Sequence, residues 1–362
     1  MKTPFQPQNL PLESLNWASL VPHLGAAHEG LARFDALLGN IPNTALLLAP
    51  LTAQEAVLSS RIEGTQASLE DVLRFEAEGK AEGEKRDDIQ EVINYRIALN
   101  RAHDRMQTLP LSGRLLKEAH RILLDGARGK NKTPGDFRSG QVYIGKTRDI
   151  EQAKYIPPEA PKIPALFANL EKYMHRDEQD TLVQLAIVHA QFEIIHPFWD
   201  GNGRIGRLLI PLFLYHKQAI SAPCFYLSEY LEKNRGDYYD GLNRITEEGN
   251  WEQWIQFFLC AVAEQSRVSA GKAQSIIDLK EKILRQVQQI TRSQYVPQMT
   301  DFIFSTPWFA SVQFRDQASV PRPSVARLLN LLEAGGIIEK MWPGKGRRAS
   351  IYFFPELLKI IG

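Results

Sequence analysis

A mainly α fold is predicted for this chain, on three observations. Long runs repeat their apolar side chains at helical spacing, from Leu51 through to Ile290. One stretch, Phe137 to Pro158, sets β-branched and aromatic residues on both sides of a polar turn, the pattern of a β-hairpin. From about Tyr295 the signature changes to a short helix followed by two apolar strands around a basic turn, a small α+β module.

A Pro-rich arm reaches to about residue 25. After Pro50, Thr52-Ala53-Gln54-Glu55 reads as a capping box, so a helix is expected over about 52–64, with Leu51, Leu58 and Ile62 on one face and Gly64 ending it. Its last turn holds Glu63, where the helix dipole disfavours negative charge. The charged stretch Glu76 to Asp88 is expected to be a loop, because it contains Gly79 and Gly83. Helical periodicity then runs over Asp88 to Arg105 and Ser112 to Leu124.

Beyond the hairpin, Thr181 to Ile195 is apolar on most sides, as a buried helix is, and Pro197 ends it. The turn Gly201-Asn202-Gly203 opens a second core helix through Leu208 to Tyr215, which Pro211 should kink. Trp251, Trp254, Ile255 and Phe258 begin a long helix that continues towards Ile290. These signals divide the chain into an N-terminal helical region over 1–105, a core over 106–250 with the hairpin at about 137–157, a connector helix over 251–292 and a terminal module over 293–362.

The chain has 362 residues, 44% hydrophobic and 23% charged, as soluble globular proteins do. Its formal net charge of +1 gives no global attraction to nucleic acid or acidic membranes. No run reaches the roughly 18 apolar residues of a membrane span, and Met1 to Pro7 lacks a signal-peptide core, so a cytoplasmic protein is expected. Cys224 and Cys260 are too few for a disulfide framework or a zinc site, and His120, His175 and His189 lack ligand spacing and read as structural.

The stretch His196-Pro197-Phe198-Trp199-Asp200-Gly201-Asn202-Gly203-Arg204-Ile205-Gly206-Arg207 concentrates chemistry. A helix that opens on a glycine turn presents free N–H groups and a positive dipole end, which attract phosphate. Arg204 and Arg207 share a face in that first turn, where cations oppose the dipole unless an anion is bound. His196, with an ordinary pKa near about 6.5, suits a general base, and Asp200 is a hard oxygen ligand of the kind Mg²⁺ takes. Phe198 reads as a core anchor.

Read as His-Pro-Phe-x-x-Gly-Asn-Gly-Arg-x-x-Arg, this stretch resembles the motif of the Fic family at every fixed position. The resemblance implies a helical core with a hairpin flap and a protein adenylyltransferase, which moves AMP from ATP to a Ser, Thr or Tyr hydroxyl of a target protein. His196 is then the base, Asp200 the Mg²⁺ ligand, and Gly201, Asn202, Gly203, Arg204, Ile205, Gly206 and Arg207 the ATP-binding run. Ser59 to Gly64 resembles the family's inhibitory motif, in which Glu63 pairs with Arg207 and denies it to the γ-phosphate. Val142, Tyr143, Ile144 and Gly145 resemble the flap edge that holds a target segment by strand addition. Glu232 to Leu242 resembles the region that closes over the nucleoside, with Asn234 and Tyr239 as candidate ATP contacts. A homodimer is a further implication.

At the C-terminal end, the helix Ser324 to Leu332, closed by Gly335-Gly336, precedes Ile337 to Lys340, the basic turn Gly344 to Arg348 and Ile351 to Phe354. This looks like a winged helix, which raises a rival reading: a DNA-binding regulator carrying a Fic-type nucleotide sensor, with Arg322, Ser324 and Arg327 facing DNA. The helix offers few base-reading side chains, so DNA is not the favoured partner. Within the transferase reading, another nucleotide such as UTP, a phosphorylating mode, and removal of AMP by the same site stay open; Gly203 and Arg207 favour AMP transfer.

Overall fold

The computed structural model describes residues 3–39, 44–79, 84–126, 132–145, 152–344 and 349–362. Fifteen α-helices and one three-stranded sheet are formed among them, which bears out the mainly α expectation. The chain divides into two compact units, one built from 1–35, 58–65 and 94–267, the other from 36–57, 66–93 and 268–362.

The helices before the hairpin are α1 (Trp17–Gly39), α2 (Thr44–Ile62), α3 (Leu69–Glu78), α4 (Glu84–Arg105) and α5 (Gly113–Leu123). The capping box expected at Thr52 to Glu55 is not the start of a helix: α2 begins at Thr44 and runs through Pro50, leaving Thr52 and Glu55 in its interior. The run Thr44 to Ala49 is rich in strong helix formers, so the helix continues past one missing backbone donor. Its end falls where expected, with Ile62 the last helical residue and Gly64 at φ 99°. The charged loop is shorter than expected, because Ser68 and Asp71 form a capping box that starts α3 and carries it through Glu78. Gly79 caps α3 at φ 68°, and α4 has begun by Glu84, while Gly83 lies outside the described residues.

In the first unit the core is α6 (Ile163–Met174), α7 (Thr181–Ile195) and α8 (Asn202–His216), followed by α9 (Ser228–Lys233) and α10 (Arg235–Glu248). Helix α7 packs against α6, α8 and α10, which accounts for its apolar sides. Asp180 caps it by accepting from the amides of Leu182 and Val183, and the buried indole of Trp254, from α11 (Trp251–Thr291), donates to the Ala186 carbonyl. Pro211 stands inside α8, as read from the sequence.

The hairpin is sparer than its pattern suggested. Its described pairing is a single antiparallel bridge between Ile144 and Tyr155, and its tip lies outside the described residues. Side chains hold the arms in place of a ladder. Buried Arg138 donates to the carbonyls of Gly140, Pro158 and His196, and Gln141 donates to that of Pro157.

In the second unit, α12 (Val296–Ser305), β1 (Trp308–Ala310), α13 (Ser311–Gln317), α14 (Arg322–Ala334), β2 (Glu339–Trp342), β3 (Ile351–Phe353) and α15 (Pro355–Ile361) follow in order. The sheet is antiparallel in the order β1-β3-β2. Trp308, Ala310 and Ile351 form a core with Leu73 of α3, so a helix from far upstream covers this sheet. Gly335 and Gly336 end α14 as expected, and most of the basic turn, residues 345–348, lies outside the described residues.

Candidate active site

The end of α7 and the start of α8 build the site. His196 closes α7 in the left-handed region, φ 49°, with its amide donating to the Phe192 carbonyl. Pro197 then turns the chain, and Asn202 fastens the turn: its side-chain oxygen accepts from the Phe198 amide at 2.8 Å while its amide donates to the Phe198 carbonyl at 2.9 Å. Asn202 therefore shapes the loop with its side chain. Gly201, at φ 76°, lets the chain enter α8, whose first amides have no partner within the helix. Phe198 is buried and stacks on His120 at 3.8 Å, the core anchor expected of it.

The half-buried imidazole of His196 faces a cavity of about 340 Å³. Its Nδ1 lies 3.3 Å from the Glu193 carbonyl, which only an N–H can satisfy, so Nε2 carries the lone pair. Burial pushes its pKa down to about 4; the Glu193 carbonyl works against that shift and Arg138 adds to it. The ring is thus a neutral base at ordinary pH.

Two buried histidines hold the surrounding backbone. His120 accepts from the Gly135 amide at Nδ1, so its Nε2–H donates to the Asp200 carbonyl. His189 donates from Nδ1 to the Gly206 carbonyl, and its Nε2 accepts from the Tyr238 hydroxyl. Both are structural, as read from the sequence.

Each arginine near the start of α8 meets a carboxylate. Arg204 reaches Asp200 at 3.2 Å, and Asp200 also accepts from the Gly201 amide at 2.6 Å. Arg207 is buried and donates three ways: to Ser59 Oγ at 2.9 Å, to the Ser59 carbonyl at 2.8 Å and to Glu63 Oε1 at 2.7 Å. Burial works against charge on Glu63, but Arg207, helped by Arg204 and His196, holds its carboxyl below the usual range. Burial likewise opposes charge on Arg207, and Glu63 more than offsets it. The expected pairing of Glu63 with Arg207 is therefore formed, and Ser59 joins it.

The other candidates divide. Tyr239 lines the cavity, as do Tyr143, Ile144 and Gly145 of the hairpin. Val142 stands beside them in the chain but not on the cavity wall, and the Ile205 side chain is buried in the core. Asn234 does not line the cavity. Its side-chain amide donates to the Tyr230 carbonyl at the junction of α9 and α10.

Sequence reasoning passed over Glu193, Arg138 and Tyr155. Glu193 lines the cavity, and Tyr155 both lines it and donates to the Ile194 carbonyl. The available signal for Glu193 was a lone acid near the end of an apolar helix.

Residues 21–104 match the Fic/DOC family N-terminal model and residues 110–214 match the Fic/DOC family model, together more than half of the chain. The chain belongs to the Fic/DOC family. It is 31% identical over 123 residues to a probable protein adenylyltransferase of Aquifex aeolicus, covering 34% of this chain and 33% of that protein. It is 26% identical over 206 residues to the protein adenylyltransferase Fic of Drosophila melanogaster, covering 54% of this chain and 37% of that protein. The Fic chain thus spans about a third to two-fifths of the length of these curated relatives. In fold it is similar to a Fic family protein from Desulfovibrio desulfuricans, with a TM-score of 0.60 at 23% identity over 95% of this chain and 98% of that one. Fic-1 from C. elegans gives a TM-score of 0.53 at 22% identity, covering 74% of each chain.

Proposed function

We propose that this chain transfers AMP from ATP to a Ser, Thr or Tyr hydroxyl of a target protein, and that Glu63 holds it inactive by pairing with Arg207. The observation that carries the reading is the neutral Nε2 of His196 facing a cavity beside the open amides of α8, with Arg207 locked by Glu63 at the same helix turn. His196 Nε2 takes the hydroxyl proton as the target oxygen attacks the α-phosphorus. The bond from that phosphorus to the bridging oxygen of the β-phosphate breaks, and pyrophosphate leaves. Amides around Gly201 to Gly203 hold the α-phosphate oxygens, while Arg204 and Arg207 hold the β- and γ-phosphates.

The residues fit a Mg²⁺ ion. Asp200, with its side chain 43% exposed, stands at the anion-binding turn as a single hard donor, which suits an ion that takes one carboxylate, several waters and phosphate oxygens. Bound with the nucleotide, Mg²⁺ would supply charge neutralisation at the phosphates. Arg204 exchanges its contact with Asp200 for phosphate when ATP enters. The hairpin edge at Val142 to Gly145 takes the target segment by strand addition, supported by the exposure of Tyr143 and Ile144. A homodimer and a cytoplasmic location complete the proposal; no helix among the described residues is long and apolar enough to cross a membrane.

The test is labelling from α-labelled ATP. Glu63→Gly should label itself or a lysate protein more strongly than wild type, and His196→Ala placed on Glu63→Gly should abolish the signal. Equal labelling in wild type and Glu63→Gly overturns the latch, and no labelling in either overturns the transfer.

A second reading concerns the terminal module alone. Its order α12-β1-α13-α14-β2-β3 supports a winged helix, and Arg322 and Arg327 are exposed on α14. On this reading the module binds duplex DNA through phosphate contacts, and affinity must fall steeply with salt.

A further inference from the structure

Glu193 lies on α7 three residues before His196 and lines the cavity. Its Oε1 is shielded from solvent and has no hydrogen-bond partner among the described residues, a costly state for an oxygen that accepts so readily. The opposite helix is shaped to admit it: a Cβ at Gly206 would fall on Glu193 Oε1, so the carboxyl lies against bare backbone of α8. An unsatisfied acceptor held at a cavity wall, in a space kept open by a glycine, is a group waiting for a donor.

The donor's chemistry follows from the rest of the cavity. The phosphate end of a nucleotide belongs to the α8 amides and to Arg207. Tyr239 and Leu242, which also line the cavity, offer an aromatic and apolar surface suited to a base. The part of a nucleotide that joins base to phosphates and presents hydroxyl donors is the ribose. Three residues, about 4.5 Å of helical rise, separate Glu193 from His196, which is of the order of the span from a 5′-phosphate to the sugar hydroxyls. An acidic side chain on ribose hydroxyls is a recurrent solution in nucleotide sites.

We propose that Glu193 binds the ribose hydroxyls and selects ribonucleotides over deoxyribonucleotides, an inference that rests on the nucleotide reading of the same cavity. Burial pushes the Glu193 carboxyl up to about 8, with Arg207 opposing and Glu63 adding to the shift. It therefore stays neutral beside the phosphates at pH 7 and still accepts from a hydroxyl.

The experiment compares ATP, 2′-deoxy-ATP and 3′-deoxy-ATP on Glu63→Gly, alone and combined with Glu193→Ala or Glu193→Gln, reading both kcat/KM for labelling and equilibrium affinity by calorimetry. Glu63→Gly is expected to favour ATP over at least one deoxynucleotide by about tenfold or more, the range of a site built around a substrate hydroxyl. Glu193→Ala should bring that ratio near one through a loss on ATP, and Glu193→Gln should keep part of it. Glu193→Gln preserves shape, so it carries the test where the alanine variant fails to fold. A ratio unchanged in the variants, or absent in Glu63→Gly, overturns the inference. Absent labelling with the ATP preference intact in the calorimeter overturns the transfer reading alone.

Discussion

The carboxylate of Glu63 occupies the place where a side chain at Gly203 would begin. A latch residue just past the end of α2 thus sits on the first turn of α8, over the amides offered to a nucleotide. Two obstacles to ATP come from one side chain: Arg207 is engaged, and the space above Gly203 is filled. Removing the carboxylate lifts both. Glu63→Gly is expected to raise ATP affinity by about tenfold or more, within the usual range of coupling between competing sites. Titration calorimetry of both proteins checks this; matching affinities would reject the latch.

The same contact makes Gly203→Ala informative. A Cβ there would meet Glu63 and lie 2.9 Å from Arg207 Nη1, so overpacking of about 1–3 kcal/mol is expected. On Glu63→Gly, the same substitution should cost much less, because its main neighbour is gone. A double-mutant cycle by chemical denaturation reads the difference directly. Additive costs would show that Glu63 does not stand over Gly203 in solution.

Stability should depend on pH in two opposite windows. Burial lowers the pKa of His120 to about 4, of His189 to about 3 and of His196 to about 4. From about pH 6.5 downwards the unfolded chain takes up protons on these rings that the folded chain refuses, so acidification destabilises the fold. Glu193 acts in reverse. Burial pushes its carboxyl up to about 8, from an ordinary 4.5, so the folded chain keeps a proton the unfolded chain has lost, and stability falls as pH rises through that interval. Thermal midpoints measured from pH 5 to 9 should decline on the acid side in wild type and in Glu193→Gln alike. On the alkaline side, towards pH 8, Glu193→Gln should lose the part of the decline that belongs to this carboxyl; identical alkaline limbs would contradict the assignment.

What the sequence made legible depended on how local each feature is. His196 to Arg207 is contiguous, and its fixed positions carry their meaning without the fold. Glu63 and Ser59, 144 and 148 residues from Arg207, were legible only through resemblance, since nothing in local spacing tells which cation a carboxylate will meet. Thr52 to Glu55 misled because a capping box is a pattern of residue types that also occurs inside helices, and the helix formers before Pro50 outweighed it. Glu193 was passed over because one acid in an apolar helix has no periodicity of its own. Its partner space at Gly206 appears only when α7 and α8 lie side by side.

Arg138 ties the base to the hairpin, and it carries the last prediction. Its Nε donates to the His196 carbonyl at 2.9 Å, while its two terminal nitrogens hold Gly140 and Pro158, one on each arm. The Arg138 amide adds a bond to the Pro197 carbonyl. Among the described residues this guanidinium donates to three carbonyls, and burial lowers its pKa only to about 10, so it remains a cation. A lysine has one nitrogen and cannot span three directions. Arg138→Lys is therefore expected to leave buried carbonyls unsatisfied, at about 1–3 kcal/mol of stability. On Glu63→Gly, it should also lower labelling of a protein target more than it weakens ATP affinity, because hairpin and base lose their common anchor while Arg207 and the α8 amides are untouched. Parallel measurements of ATP affinity and target labelling separate these effects. A loss confined to ATP affinity would show that Arg138 acts elsewhere than at the hairpin.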